Sequence, residues 1–104
     1  MRYQLLIWED EATALPPAEC DQWVEDNQDT LRQCARLRPS ADTTTVRVRD
    51  GELLISDGPF PETKEQIGGF HLIECENLDD AIELARKHPA ARSGAIEVRP
   101  IWEQ

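Results

Sequence analysis

Residues 57–70 read DGPFPETKEQIGGF, which places three glycines and two prolines in one short stretch. Both residue types weaken a regular strand, because glycine adds backbone freedom and proline lacks an N–H donor. The stretch follows one apolar run, residues 52–56, and leads into another, residues 67–75. We therefore predict two strands joined by a specialised loop over residues 57–66, in which Phe60 turns inward to fill the core.

Two further strands are predicted before this loop. Residues 43–49 alternate in character and end at Asp50-Gly51, a pair that favours a tight hairpin turn back into residues 52–56. At the start of the chain, residues 2–8 have apolar side chains on both faces. A strand of that kind is covered on both sides, so this one is predicted to be central in the sheet.

One long helix is predicted over residues 17–36. Pro17 suits a first helical position. Four later residues recur at helical spacing: Trp23, Asn27, Leu31 and Cys34. On that helix Cys20 and Cys34 would lie about 21 Å apart, too far to form a disulfide. With an odd count of three cysteines, reduced thiols are the simplest expectation.

The remaining elements complete an α+β fold. Asn77 resembles a helix N-cap with Asp80 three residues later, and the second helix is expected to end near His88-Pro89. Residues 95–102 form the last strand, which Pro100 places at an edge. The order β–α–β–β–β–α–β predicts a single domain over residues 1–104, a ferredoxin-like sandwich with two helices on one face of a mainly antiparallel sheet.

The opposite sheet face is predicted to be apolar as well. Its candidate side chains are Leu6, Leu54, Phe70 and Leu72. Because one copy of so small a chain has nothing left to cover this face, we expect a homodimer that buries it.

Composition narrows the classes of function. The net charge of −10 argues against nucleic acid as a partner, since a phosphate backbone attracts clustered Lys and Arg. No apolar run approaches the roughly 20 residues of a membrane span, and the first residues lack the pattern of a signal peptide. A cytoplasmic protein is expected. With two histidines 17 positions apart and no cysteine pair beside them, we expect no metal site and no cofactor.

Several motifs together resemble the DGPF branch of the YCII-related family. They are Tyr3 to Ile7, Thr43 to Gly51, Asp57 to Phe70, and His88 to Pro100, so the resemblance covers residues 1–10 and 42–102. It implies a dimeric α+β barrel built from ferredoxin-like subunits, with a cleft between the sheet and the partner subunit.

Two departures from the family affect the expected site. Members usually carry a glycine-containing strand after the first helix, whereas residues 31–39 contain no glycine and are interpreted as shortened. The His–Asp pair that some relatives are thought to use has its histidine early in the chain. Since no histidine here precedes His71, that pair cannot be transferred.

The catalytic candidates are Asp57, His71 and His88. Asp57 fits a general acid or base whose pKa is raised beside Phe60, or an Asx-turn that binds backbone amides. His71 fits a hydrogen-bonded core residue or a catalyst. His88 fits a protonated cap at a helix C-terminus or a catalyst.

The ligand-binding candidates are Asp57, Phe60, Lys64, Gly68 and Gly69. Lys64 fits either the mouth of a pocket or a solvated loop, and the glycine pair fits either a ligand approach or a β-bulge. We predict a small-molecule-binding or regulatory accessory module. The alternative is a small cofactor-free lyase, isomerase or dehalogenase-like enzyme that pairs Asp57 with a histidine.

Overall fold

The computed structural model describes residues 1–103 and has an α+β fold. Within these residues it contains six strands, three α-helices and one 3-10 turn at Ser40–Asp42. In chain order the elements are β1 (Arg2–Asp10), α1 (Pro17–Asp26), β2 (Leu31–Arg36), β3 (Thr44–Arg49), β4 (Glu52–Asp57), β5 (Glu65–Glu74), α2 (Leu78–Arg86), α3 (Ala90–Ser93) and β6 (Ala95–Pro100).

Four strands form the main sheet in the order β2–β5–β1–β6, and every neighbouring pair is antiparallel. The central position predicted for β1 is confirmed, because β5 and β6 flank it. The edge position predicted from Pro100 is also confirmed, since β6 has one neighbour. Trp102 lies beyond the end of that strand and is exposed.

The core lies between one face of this sheet and the helices. Leu5 and Ile73 are fully buried there, and they share an apolar cluster with Trp23 of α1 and with Ala81 and Ala85 of α2. The predicted cap of α2 is confirmed by the Asn77 Oδ1 atom, which accepts a hydrogen bond from the Asp80 N–H at 2.9 Å.

The predicted helix over residues 17–36 is wrong in its second half. The helix ends at Asp26, where the Asn27 side chain donates to the Trp23 carbonyl oxygen at 2.7 Å. After a turn the chain becomes β2, which pairs with β5 although residues 31–39 contain no glycine. Pairing with the free edge of β5 satisfies backbone groups and outweighs the local helical spacing. Cys20 and Cys34 therefore belong to different elements, and the expected 21 Å separation along one helix does not apply.

Strands β3 and β4 form a separate two-stranded hairpin. The predicted turn is confirmed, with positive φ values of 52° at Asp50 and 79° at Gly51, as a two-residue hairpin loop requires. The hairpin extends from the body, and the radius of gyration is 15.4 Å, against about 13 Å for a compact domain of this length.

The second face of the main sheet holds three of the four side chains predicted for it. Leu6 and Phe70 are directly opposite each other on β1 and β5, and Leu72 lies two residues along on the same face; all three are half-buried. The prediction is wrong for Leu54, because this residue belongs to the hairpin and is 42% exposed.

Among the helices within residues 1–103, none combines the length and the apolar character that crossing a membrane requires.

Candidate functional site

A cavity of about 140 Å³ opens between α1, β2 and β5. Its apolar wall comes from Ile7, Leu15 and Val24, and two thiols, Cys20 and Cys34, face it from opposite elements. Three charged residues also line it, Glu9, Asp21 and Arg36, and its remaining polar groups belong to the two histidines. Apolar walls with a few convergent polar groups are typical of small-molecule sites.

His71 and His88 form a buried pair beside this cavity. Their Nε2 atoms lie 3.2 Å apart, and the backbone N–H of Ala90 donates to His88 Nδ1 at 3.0 Å. His71 is 8% exposed and His88 is 1% exposed. β5 places His71 on the helix-facing side of the sheet, while the turn between α2 and α3 places His88.

Burial determines the charge state of the pair. Removal from water lowers the pKa of His71 to about 4, and removal from water together with the neighbouring His71 lowers the pKa of His88 to about 4 as well. Both rings are consequently neutral near pH 7. The sequence interpretation of His88 as a protonated helix cap is wrong, because its Nδ1 atom accepts a hydrogen bond and the ring lies in the interior.

Trp23 packs against both imidazoles and completes an aromatic group of three rings. Its ring centroid lies 4.8 Å from that of His71 and 4.9 Å from that of His88. The indole N–H donates to the Leu84 carbonyl oxygen at 3.0 Å, so α1 is tied to α2 at this point. The orientation of the histidine pair thus depends on both helices.

Gly68 and Gly69 line the same cavity and also form the predicted bulge. The β1–β5 register moves from Ile7 opposite Gly69 to Trp8 opposite Ile67, so Gly68 is the extra residue of a β-bulge. A Cβ on Gly68 would overlap the Glu9 carboxylate, and one on Gly69 would lie 2.9 Å from the Ala35 carbonyl oxygen. The two glycines let Glu9 and β2 approach the cavity closely.

The ionisable groups of the cavity respond to partial burial. Desolvation raises the pKa of Glu9, while Arg36 acts in the opposite direction. Burial also raises the pKa of the Cys20 thiol, as do the nearby carboxylates of Glu9 and Asp21. Since the thiolate is the nucleophilic form of cysteine, Cys20 lacks the electropositive surroundings of a reactive thiol.

Asp57 lies outside this cavity. It is the last residue of β4, its side chain is exposed, and Thr44 is its partner across the hairpin. The neighbouring Gly58 has φ of 98°; its N–H donates to the Thr43 carbonyl oxygen and its own carbonyl accepts from the Thr45 hydroxyl, both at 2.7 Å. Asp57 and Gly58 therefore close the base of the hairpin.

Phe60 and Lys64 are in two different surroundings. The expectation that Phe60 fills the core is wrong, because its side chain is 69% exposed and stacks near the Arg47 guanidinium at 5.7 Å. It lines a second, wider cavity of about 550 Å³ with Trp8 and Ile67. The Lys64 ammonium lies 3.5 Å from the Asp10 carboxylate.

The structure thus brings four of the candidates together and separates three. His71, His88, Gly68 and Gly69 meet at the first cavity, whereas Asp57, Phe60 and Lys64 do not. Sequence reasoning missed Cys34 and Arg36, since both were assigned to a helix. Residues 31–36 read LRQCAR and do not alternate, so the available signal was the polar run NQDT at residues 27–30, which indicates an earlier end of the helix. Within residues 1–103, no cluster of three or more potential metal ligands is present.

Similarity to known proteins identifies the family of this chain. The YCII-related domain matches residues 1–104. A protein of Rhizobium meliloti (strain 1021), described as uncharacterized, is 47% identical over 73 residues, which cover 68% of this chain and 59% of the relative. The match thus spans about three fifths of that relative's length. Because the domain match extends over the full sequence, the chain belongs to the YCII-related family.

Proposed function

We propose that this chain is a small-molecule-binding module of the DGPF type, regulatory or accessory in role, that acts as a homodimer. The observation that carries the proposal is the cavity between α1, β2 and β5, where apolar walls surround a buried histidine pair. The alternative, an enzyme that pairs Asp57 with a histidine, is not favoured. General acid–base partners must reach the same reacting atoms, and Asp57 lies on the hairpin while both histidines lie at the cavity.

The hairpin supports the dimer. One of its faces consists of four aliphatic side chains, Val46, Val48, Leu53 and Ile55, each about 60% exposed. A lone two-stranded hairpin is marginally stable in water, and an apolar surface of this kind is typical of an interface.

A second copy of the chain is the partner that fits these apolar surfaces. Each copy offers both an apolar hairpin face and the open sheet face of Leu6, Phe70 and Leu72, so two copies related by a two-fold axis can cover both surfaces at once. Charge favours the same occupant, because β3 carries Arg47 and Arg49 while eight acidic residues lie within the first 30. The strand order of the main sheet is consistent with a ferredoxin-like subunit in such a dimer.

Light scattering at micromolar concentration tests the dimer. We expect twice the mass of one chain for the wild type and for Ser56→Glu, but one chain's mass for Ile55→Glu. Both variants add the same negative charge. The two residues are neighbours on β4 with side chains on opposite faces, so only Ile55→Glu places that charge on the apolar face. A monomeric wild type would contradict the proposal, as would an unchanged mass in Ile55→Glu that remains folded by circular dichroism.

A thermal-shift screen of small molecules tests binding. A ligand that binds only the native state raises the melting temperature in proportion to the logarithm of its concentration above the Kd. In Val24→Trp the larger side chain fills the cavity. Compounds that raise the melting temperature of the wild type but not of Val24→Trp would support the proposed site. If hits act equally on Val24→Trp, the cavity is not the binding site.

A further inference from the structure

A carboxylate and a guanidinium flank the glycine pair of β5. This strand lies between β1 and β2 in the main sheet, so Gly68 and Gly69 have a neighbour on each side. Arg36 of β2 is directly opposite Gly69, and Ile7 of β1 faces the same glycine from the other side. Glu9 follows Ile7 by two residues, so its side chain is on the same face of the sheet. The two charged groups therefore border a floor that has no side chains of its own.

Both charged groups are accessible from the cavities. The Glu9 Oε1 atom lies where a side chain on Gly68 would begin, so the carboxylate covers that glycine. Glu9, Arg36 and Gly68 line the first cavity of about 140 Å³ and also a neighbouring one of about 150 Å³. Glu9 is half-buried and Arg36 is exposed. A molecule that enters from either cavity can thus reach both charges.

The two charges are near each other without forming an ion pair. Among the ion pairs within residues 1–103, none includes Glu9 or Arg36, so no nitrogen of Arg36 lies within 4.0 Å of a Glu9 carboxylate oxygen. Desolvation raises the pKa of Glu9, and Arg36 is close enough to act on this pKa in the opposite direction. A gap between opposite charges remains, and a ligand that carries both charges can fill it.

The rest of the first cavity limits the remainder of such a ligand. Its apolar wall consists of Ile7, Leu15 and Val24. An apolar cavity of about 150 Å³ takes up benzene, so about 140 Å³ admits a side chain of one ring at most. Asp21 also lines this cavity, so a ligand with a negative charge alone would be repelled by two carboxylates.

We propose that this site binds a free α-amino acid with an apolar side chain. The ammonium group pairs with Glu9, the carboxylate pairs with Arg36, and the side chain enters the apolar part of the cavity. Charge-assisted hydrogen bonds of this kind are roughly twice as strong as neutral ones. This inference rests on the proposed binding function and specifies its ligand class.

L-leucine and two derivatives that each lack one charge separate the two contacts. Isocaproate is leucine without its amino group, and isoamylamine is leucine without its carboxylate. Both keep the branched apolar chain. Isocaproamide is neutral and tests whether hydrogen bonding without charge is sufficient. Isothermal titration calorimetry on the full chain at neutral pH gives the Kd of each probe.

L-leucine should bind at least about tenfold more tightly than each of the other three probes. Each of these lacks one or both of the charge-assisted contacts, and the loss of one such contact corresponds to about this factor.

Two variants assign the contacts to their residues. Glu9→Gln should weaken the binding of L-leucine about tenfold but not that of isocaproate, which has no ammonium group. Arg36→Gln should weaken the binding of L-leucine by a similar factor but not that of isoamylamine, which has no carboxylate. Glu65→Gln and Arg99→Gln are the matched controls, because both residues are exposed on strands of the same sheet and line neither cavity. They should leave the affinity for L-leucine unchanged.

Two results would overturn the inference: one of the other three probes binding as tightly as L-leucine, or an L-leucine affinity that is unchanged in Glu9→Gln or Arg36→Gln. The comparison of probes on the wild type decides the matter even where a variant does not fold. If L-leucine does not bind while the thermal-shift screen yields compounds whose effect is lost in Val24→Trp, the ligand class is wrong and the binding function stands. If no compound of any class binds, the proposed function fails as well.

Discussion

The Nε2 atoms of His71 and His88 lie 3.2 Å apart, although the two residues come from a strand and from a turn 17 positions later. Trp23 packs against both rings, and burial keeps both neutral. This pair links the sheet to both long helices and borders the cavity. Its protonation should therefore affect the stability of the whole fold.

We predict that the free energy of unfolding decreases as the pH falls from about 6.5 to about 4. Each histidine has a pKa of about 4 when folded and an ordinary pKa near 6.5 when unfolded, so the unfolded chain binds more protons in this window. Above about pH 6.5 the pair does not reduce the free energy of unfolding. Below that pH the free energy of unfolding decreases by up to about 1.4 kcal/mol per pH unit for each histidine. Urea unfolding at a series of pH values measures it.

The double variant His71→Phe/His88→Leu is the control for this dependence. Its stability should change little between pH 6.5 and 5, a range that lies above the ordinary pKa of carboxylates. A wild-type stability that stays constant over the same range would show that the pair is not held neutral by the fold.

Gly69→Ala should destabilise the pairing of β2 with β5. Its new Cβ would lie 2.9 Å from the Ala35 carbonyl oxygen, a backbone atom that can move only with its strand. We expect a loss of about 1–3 kcal/mol, as is usual for overpacking. Urea unfolding gives the loss, and amide hydrogen exchange should become faster in β2. The exposed Glu65→Ala on the same strand should change neither; equal effects in the two variants would contradict the predicted clash.

Gly58→Ala should strain the base of the hairpin without any steric contact. No atom lies within 4 Å of a Cβ built at this position, but the φ of 98° is unfavourable for residues other than glycine. We expect a cost of about 1–2 kcal/mol and faster exchange of the Gly58 amide, which donates to Thr43. Glu62→Ala in the following loop serves as the comparison. An unchanged exchange rate in Gly58→Ala would show that the hairpin base tolerates another conformation.

Local patterns predicted several elements correctly. The Asp50-Gly51 turn, the Asn77 cap and the edge position implied by Pro100 each depend on one or two neighbouring residues, and the structure confirms them. The apolar character of both faces of β1 likewise predicted its central position. These features require no knowledge of distant contacts.

Features that depend on distant contacts were wrong or missed. Leu31 and Cys34 continue the helical spacing of Trp23. Both nevertheless pair with β5, which lies more than 30 residues away in sequence. The error removed Cys34 and Arg36 from the predicted site. His71 and His88 were each identified as candidates, but their contact depends on how α2 returns to the sheet. The sequence pattern contains no direct sign of that geometry.

The hairpin enters the chain between β2 and β5, which are already antiparallel neighbours in the main sheet. Replacing residues 38–64 by a tight turn would leave the order of the four main strands intact. Selection can thus alter the hairpin and the lining of the cavity separately. Within one lineage, the proposed dimer surface and the proposed ligand site are free to diverge at different rates.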